Sequence, residues 1–446
     1  MINQAKILLQ KSFSKTRNFF PNTHRPLVYV QSSNFGETKN IIHPHKAAPC
    51  LTSIKEQFHE AEKYLRKRTN LDEAIKKYQS ILYSFNFTTA LKPSYCLKAL
   101  IGVGDALILQ KEFSKGLDYY LLALAFYPEK FSEYQRAALS QKIGECYFEL
   151  RDYTNSLEYF QKALELGKAS GNSDNYVQGK IKMYIGRIYT MKNDMFQALE
   201  YFKEADEILP KEEENNYLLA LTKANIATIQ MSMNEQWSSW GTLFDAINLY
   251  EKSQNLNNAQ KITILEEFVK SLDGLGFYTG LLERYEALAK LFKEEETEEA
   301  DKKLVEVLMN IAETHCYRYR GYKEAAKTYK RVLEELDRMG YEKMKGDVYL
   351  EIGTCYWKRR ESDEALDYLF KAVDSKKEHY GTSNVDIGRA YYYIGRVYYS
   401  EWEYEDSENY LAHSLRILRK YYDEDHEDIL EVQKFLNKAR QQLSDD

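Results

Sequence analysis

A cysteine beside a histidine is the pairing that a thiol nucleophile needs, and the chain contains one, His315-Cys316. The base must lie within hydrogen-bond reach of its nucleophile, whereas neighbours on a helix project about 100° apart. The pair therefore cannot act by itself, and His315 falls where a recurring pattern in the chain carries an aromatic ring, as a packed replacement for tyrosine. The run Glu294-Glu295-Glu296-Thr297-Glu298-Glu299 has the charge to hold a cation but fits a solvated helix end better. Asp423-Glu424-Asp425 lacks the alternating ligands and central glycine of a calcium loop. His43-Pro44-His45 offers two imidazoles with no carboxylate or thiolate cluster to complete a site. No catalytic residue, metal site or cofactor is expected.

Charge and composition narrow the partners. Residues 1–54 carry seven basic residues against Glu37 alone, a charge of +6 in a chain whose net charge is −6, which leaves −12 for the remainder. An acidic body lacks the clustered positive charge that phosphate recognition needs, so nucleic acid is excluded as its partner. No apolar run approaches the roughly 18 residues that would span a membrane. Five cysteines, Cys50, Cys96, Cys146, Cys316 and Cys355, are scattered without paired spacing and read as small packing residues of a reducing compartment. Of seven prolines, four lie in the first 50 residues and none follows Pro210, which suits a long succession of helices. The 38 tyrosines are expected mostly between helices, ring inward and hydroxyl toward a polar edge.

The elements that position all of this come from one stretch, Ile143 to Ala163, IGECYFELRDYTNSLEYFQKA. Its small residues Gly144, Ser156 and Ala163 fall where two short amphipathic helices must approach closely, and Tyr147 and Phe160 fill the space beside them. Echoes of Gly144 recur at 62, 104, 186, 227, 269, 312, 353 and 395, separated by 40 to 43 residues. This pattern resembles the tetratricopeptide repeat. The resemblance implies an all-α, right-handed superhelical solenoid of about nine helix pairs. Its period near 42 is longer than the common 34-residue unit and is similar to the kinesin-light-chain and spindle G-protein-regulator branches. The C-terminal stretch from Lys376 to Val432 follows the light-chain cadence most closely.

The expected organisation is a basic extended arm over 1–54, a repeat array over 55–426, and a polar capping helix and tail over 427–446. In the fifth repeat Ala246 and Tyr250 arrive late, so MNEQWSSWG is read as an insertion at 233–241 that lengthens the turn. Trp237 and Trp240 would then form a docking loop, or fold back over the fifth and sixth repeats.

What the family resemblance implies about function is a groove lined by first-helix residues. By position these are Tyr184, Arg187 and Thr190 in the fourth repeat, Asn310 and Glu313 in the seventh, Thr354 and Trp357 in the eighth, and Arg389, Tyr392, Arg396 and Tyr399 in the ninth. The last four form one helical stripe, suited to an extended peptide with carboxylates or to internal pairing with the acidic array. The expected partners are other proteins, held through the groove, the tryptophan loop and the basic arm. The expected role is a non-catalytic scaffold or adaptor, either in a cytoskeletal, motor-associated or ciliary setting in the cytoplasm, or in a mitochondrial complex. The second follows from residues 1–20, basic and free of acidic residues, which resemble a presequence.

Overall fold

The computed structural model of the protein describes residues 51–85, 93–126, 131–171 and 174–445. His43-Pro44-His45, Cys50 and nearly all of the basic arm lie outside the described residues. Two compact units divide between Asn215 and Asn216. The N-terminal unit holds four helix pairs: α1 (Leu51–Lys67) with α2 (Leu71–Phe85), α3 (Pro93–Leu109) with α4 (Phe113–Phe126), α5 (Glu133–Glu149) with α6 (Tyr153–Ala169), and α7 (Asn175–Met191) with α8 (Met195–Ile208). The C-terminal unit holds five: α9 (Asn216–Ser232) with α10 (Gln236–Lys252), α11 (Asn258–Leu275) with α12 (Tyr278–Glu295), α13 (Glu298–Glu313) with α14 (Tyr322–Met339), α15 (Glu342–Lys358) with α16 (Ser362–Tyr380), and α17 (Val385–Ser400) with α18 (Tyr404–Leu418). A last helix, α19 (Glu427–Asp445), follows. Among the described residues the architecture is all-α, nine pairs and a terminal helix. No helix there is long and apolar enough to cross a membrane.

Each pair is built by the same physics. At several helix starts orphan backbone N–H groups are satisfied by short polar caps. Ser132 and Gln135 form a capping box for α5, Asn257 and Gln260 one for α11, and Asp152 caps α6. Between paired helices the chain turns through one left-handed residue, seven positions after the small residue of the first helix: Lys111, Arg151, Asn193, Asn234, Gly276, Arg360 and Trp402. The turn is closed by a backbone bond from the residue after the left-handed one, as in Asp152 N–H to Tyr147 O at 2.9 Å.

Close approach is then enforced by the small residues. The Ser156 hydroxyl donates to the Gly144 carbonyl at 2.8 Å, and Ser407 does the same to Gly395 at 2.9 Å. A Cβ placed on Gly144 would lie 2.8 Å from the Phe160 ring, so glycine there is a packing requirement. Four tyrosine pairs, Tyr147/Tyr159, Tyr189/Tyr201, Tyr356/Tyr368 and Tyr398/Tyr410, stack at 5.5–5.6 Å between the two helices of their repeats. That recurrence accounts for part of the tyrosine richness.

The fifth repeat contains no insertion. Ser239 donates its hydroxyl to the Ala227 carbonyl at 2.8 Å, which is the Ser156–Gly144 contact again at the same twelve-residue spacing. Leu243 and Ala246 fill the positions of Phe160 and Ala163 and are buried. Asn234 supplies the ordinary left-handed turn, and Trp237 and Trp240 lie on the first turns of α10. The sequence expectation went astray because the bulky Trp237 and Trp240 flank the small residue Ser239 on these first turns.

The extra residue belongs to the seventh repeat. Ala325 follows Ala312 by thirteen residues where the other repeats have twelve, and the left-handed turn residue, Arg320, is displaced likewise. The chain absorbs the surplus in a π-helical turn, Thr314–Arg318, closed by Gly321 N–H to His315 O at 2.8 Å.

Candidate protein-binding faces

In each unit the first helices carry the side chains beside the small packing residues. The position directly after the small residue is charged in several repeats, and the fold gives it a neighbour on the next first helix. In the N-terminal unit Asp105 accepts hydrogen bonds from Lys142 Nζ and from the Tyr120 hydroxyl, both at 2.5 Å. Burial, then the Asp105 charge, hold the Tyr120 phenol far above its ordinary value, so it serves as a donor. Glu145 meets Lys180 at 2.7 Å. Burial raises the Glu149 carboxyl, and the nearby Arg187 charge opposes that. Asp105, Tyr120, Lys142, Glu145 and Glu149, with Tyr184, line an open depression of about 500 Å³.

Tyr184 stacks on Phe160 at 5.4 Å and meets Phe148 edge-on at 5.2 Å. Arg187 places its guanidinium 4.9 Å from the Phe148 ring centre. Thr190 donates to the Gly186 carbonyl at 3.1 Å. All three expected groove residues of this repeat are anchored, and Tyr184 still borders the depression.

In the ninth repeat the C-terminal unit shows the internal pairing, one of the two expected uses of the stripe. Arg389 pairs with Asp428 at 3.2 Å, Tyr392 donates to Glu431 at 2.7 Å, and Arg396 sits 3.5 Å from the Phe435 ring centre and 3.6 Å from Glu431. Tyr399 lies 6.1 Å from Phe435 and 5.5 Å from Tyr404. Asp428, Glu431 and Phe435 all belong to α19, so the stripe seats the terminal helix instead of standing open for a peptide. Arg396→Ala removes a cation–π contact and a half-exposed ion pair, worth together about 1–2 kcal/mol. Hydrogen exchange in α19 is expected to quicken roughly tenfold, while exchange in the N-terminal unit stays unchanged.

Trp357 is half-buried against Tyr393 at 5.6 Å and under the Arg396 guanidinium at 4.8 Å. Thr354 donates to the Glu351 carbonyl at 2.8 Å, and the Asn310 carbonyl accepts from Thr314 at 2.7 Å. Trp240 meets Phe277 edge-on at 5.1 Å, whereas Trp237 is 91% exposed.

His315 and Cys316 are separated in their contacts as well as in direction. The Cys316 sulfur faces Cys355 Sγ at 3.2 Å; the Cys316 hydrogen bond and burial push the Cys355 thiol far up, so it is a protonated packing group. The His315 ring approaches Tyr319 at 6.4 Å and is held below its ordinary value by burial. Around this sulfur pair stand groups that the sequence reading passed over: Glu351, Tyr317, Tyr329 and Tyr393. Burial pushes the Glu351 carboxyl up to about 7, helped by Glu313 and Asp347 and opposed by Arg389. Its position was available in the sequence, two residues before Gly353, where Lys142 stands before Gly144.

Small residues stacked against rings in successive helix pairs, with polar first-helix faces, define an α-helical repeat solenoid. Residues 134–211 and 388–428 match family models described as Tetratricopeptide repeat, so the chain carries tetratricopeptide repeats there. Among solved structures it is similar to the apo form of the quorum sensor NprR from B. thuringiensis, with 17% identity, 72% of this chain and 87% of that chain covered, and a TM-score of 0.51. A signal-transduction ATPase of the STAND class with a tetratricopeptide-repeat sensor, from Pyrococcus horikoshii, matches at 15% identity over 87% of this chain and 58% of that one, TM-score 0.48. A putative kinesin light chain from Podosopora anserina matches at 13% identity over 46% and 97%, TM-score 0.37. These likenesses concern the fold. No curated protein matches the chain in sequence.

Proposed function

We propose that the protein is a non-catalytic scaffold that binds other proteins within a larger assembly. The observation that carries this reading is the series of first-helix faces, where polar and charged side chains beside the packing residues are displayed on a rigid repeat framework. Trp237, exposed at the start of α10, is a second contact on this reading, and the basic segment of residues 1–54 is a third.

For the setting, the repeat period near 42 and the C-terminal cadence support a cytoskeletal, motor-associated or ciliary assembly. The basic, acid-free residues 1–20 support a mitochondrial complex instead. One experiment addresses both: tagged protein is localised in native cells, and its co-purifying proteins are identified together with the N-terminus of the mature chain. Microtubule or ciliary partners with an intact Met1 support the first setting; mitochondrial partners with a shortened chain support the second. Recovery of the protein alone under gentle cross-linking would count against the scaffold reading itself.

A further inference from the structure

In three repeats the groove position directly after the small residue is a place where opposite charges meet across helices. Asp105 reaches Lys142, Glu145 reaches Lys180, and Arg396 reaches Glu431, each on the following first helix or the terminal helix. The seventh repeat differs from these three. Glu313 occupies the position of Asp105, and the residue that corresponds to Lys142 is Glu351. Two carboxylates that bear on one another electrostatically thus hold the positions on α13 and α15 where Asp105 and Lys142 form an ion pair.

Neither side chain finds a cation or a hydrogen-bond donor among the described residues. The nearest opposite charge that bears on Glu351 is Arg389, which is bonded to Asp428; Asp347 is held by Lys376. A second and independent observation lies beneath the pair. Tyr329 corresponds to Tyr120 and is fully buried, yet its hydroxyl has no hydrogen-bond partner, whereas the Tyr120 hydroxyl donates to Asp105. Burial raises the Tyr329 phenol most, and the charges of Glu351, Cys316, Cys355 and Glu313 add to it in that order, so these groups are its electrostatic neighbours. The neighbouring phenols Tyr317 and Tyr393 feel Glu351 as well. Tyr317 is carried by the π-helical turn that the extra residue of this repeat creates.

We infer that the Glu313–Glu351 position of the C-terminal unit receives a lysine or arginine side chain from a partner protein, which supplies in trans the cation that Lys142 supplies in cis. The chemistry fits a basic side chain. Two carboxylates accept its N–H groups, phenol rings flank its alkyl stem, and desolvation at the face strengthens the pairing. A calcium ion would need six to eight oxygens, and two carboxylates do not provide them. The inference deepens the scaffold reading and rests on it, since the ligand is a segment of another protein.

The test uses the full chain and a fluorescein-labelled peptide of alternating glycine and arginine, with the glycine–glutamate peptide as counterpart. Anisotropy should show that the arginine peptide binds and the glutamate peptide does not. Glu351→Lys should weaken binding at least tenfold, while Glu294→Lys, the same charge change on the exposed acidic run, should alter it less than twofold. Because Glu351→Lys installs the missing cation beside Glu313, it should also raise the melting temperature of the C-terminal unit, by about 2–4 °C per kcal/mol gained. The inference is overturned if Glu351→Lys binds the arginine peptide as well as the wild type does, if both lysine variants weaken it equally, or if Glu351→Lys lowers the melting temperature. Millimolar calcium that stabilises the wild type but not Glu351→Lys would assign the site to a metal and overturn it too. Native partners that still co-purify in any of these cases would leave the scaffold reading standing.

Discussion

Phe160→Ala is expected to destabilise the N-terminal unit by about 3–5 kcal/mol, the range for deleting a fully buried aromatic ring. The ring is completely inaccessible, stacks on Tyr184 at 5.4 Å, and lies in one cluster with Ile181, Ile185 and Ile188. It also occupies the space that Gly144 leaves by having no Cβ. Alanine would open a cavity at the junction of α5, α6 and α7, and neighbours held by the Ser156–Gly144 hydrogen bond have little freedom to collapse into it. Phe160→Leu is the informative companion, because the chain itself places Leu369 and Leu411 at this position in the last two repeats, both fully buried beside Gly353 and Gly395. It should cost less than half as much as the alanine change. Urea unfolding followed by circular dichroism measures both. An alanine cost below about 1 kcal/mol would show that glycine–ring interlock is not what holds the repeats together.

The interlock is also why the fold was legible from residue types alone. A glycine or alanine that must admit a ring recurs with the repeat, and a period of 40 to 43 residues survives almost any change on the solvent face. Single-residue departures are harder to see, because they disturb a spacing only by one. The extra residue of the seventh repeat was visible as Ala312 to Ala325, but whether it lengthens a loop or widens a helix turn depends on backbone bonds, and here it makes the π-helical turn. In the fifth repeat the signal was present in Ser239 and was masked by Trp237 and Trp240, whose size suggested a loop. The groove was legible only as a set of positions. Arg389, Tyr392 and Arg396 occupy groove positions, yet what stands opposite them is α19, about 40 residues away, and sequence spacing alone does not say whether a partner or the chain's own end fills a face. The like-charge pair Glu313 and Glu351 needed the contact rule taken from Asp105 and Lys142 before it could be recognised as an exception.

That exception gives the same substitution opposite signs at two equivalent sites. Tyr120→Phe removes a hydroxyl that donates to a carboxylate at 2.5 Å, and a hydrogen bond to a charged group contributes about 1.5–3 kcal/mol. Lys142 still pairs with Asp105, so the carboxylate is not stranded and the loss should sit near 1.5 kcal/mol. Tyr329→Phe removes a buried hydroxyl with no partner, a group whose desolvation costs about 1–3 kcal/mol with nothing gained in return. It is expected to raise stability by about 1 kcal/mol, since phenylalanine keeps the ring against its packing neighbours. Chemical denaturation of the two variants, read separately for each unit, should therefore move in opposite directions; a loss in both would mean that Tyr329 is satisfied as Tyr120 is. Binding supplies the counterpart. If the Tyr329 hydroxyl serves the cation held by Glu313 and Glu351, then Tyr329→Phe should be the more stable protein and the weaker binder of the arginine peptide. A polar group that costs stability in the free chain and contributes only when a ligand arrives is the signature of a binding site, and the two measurements on one variant separate it from a packing defect.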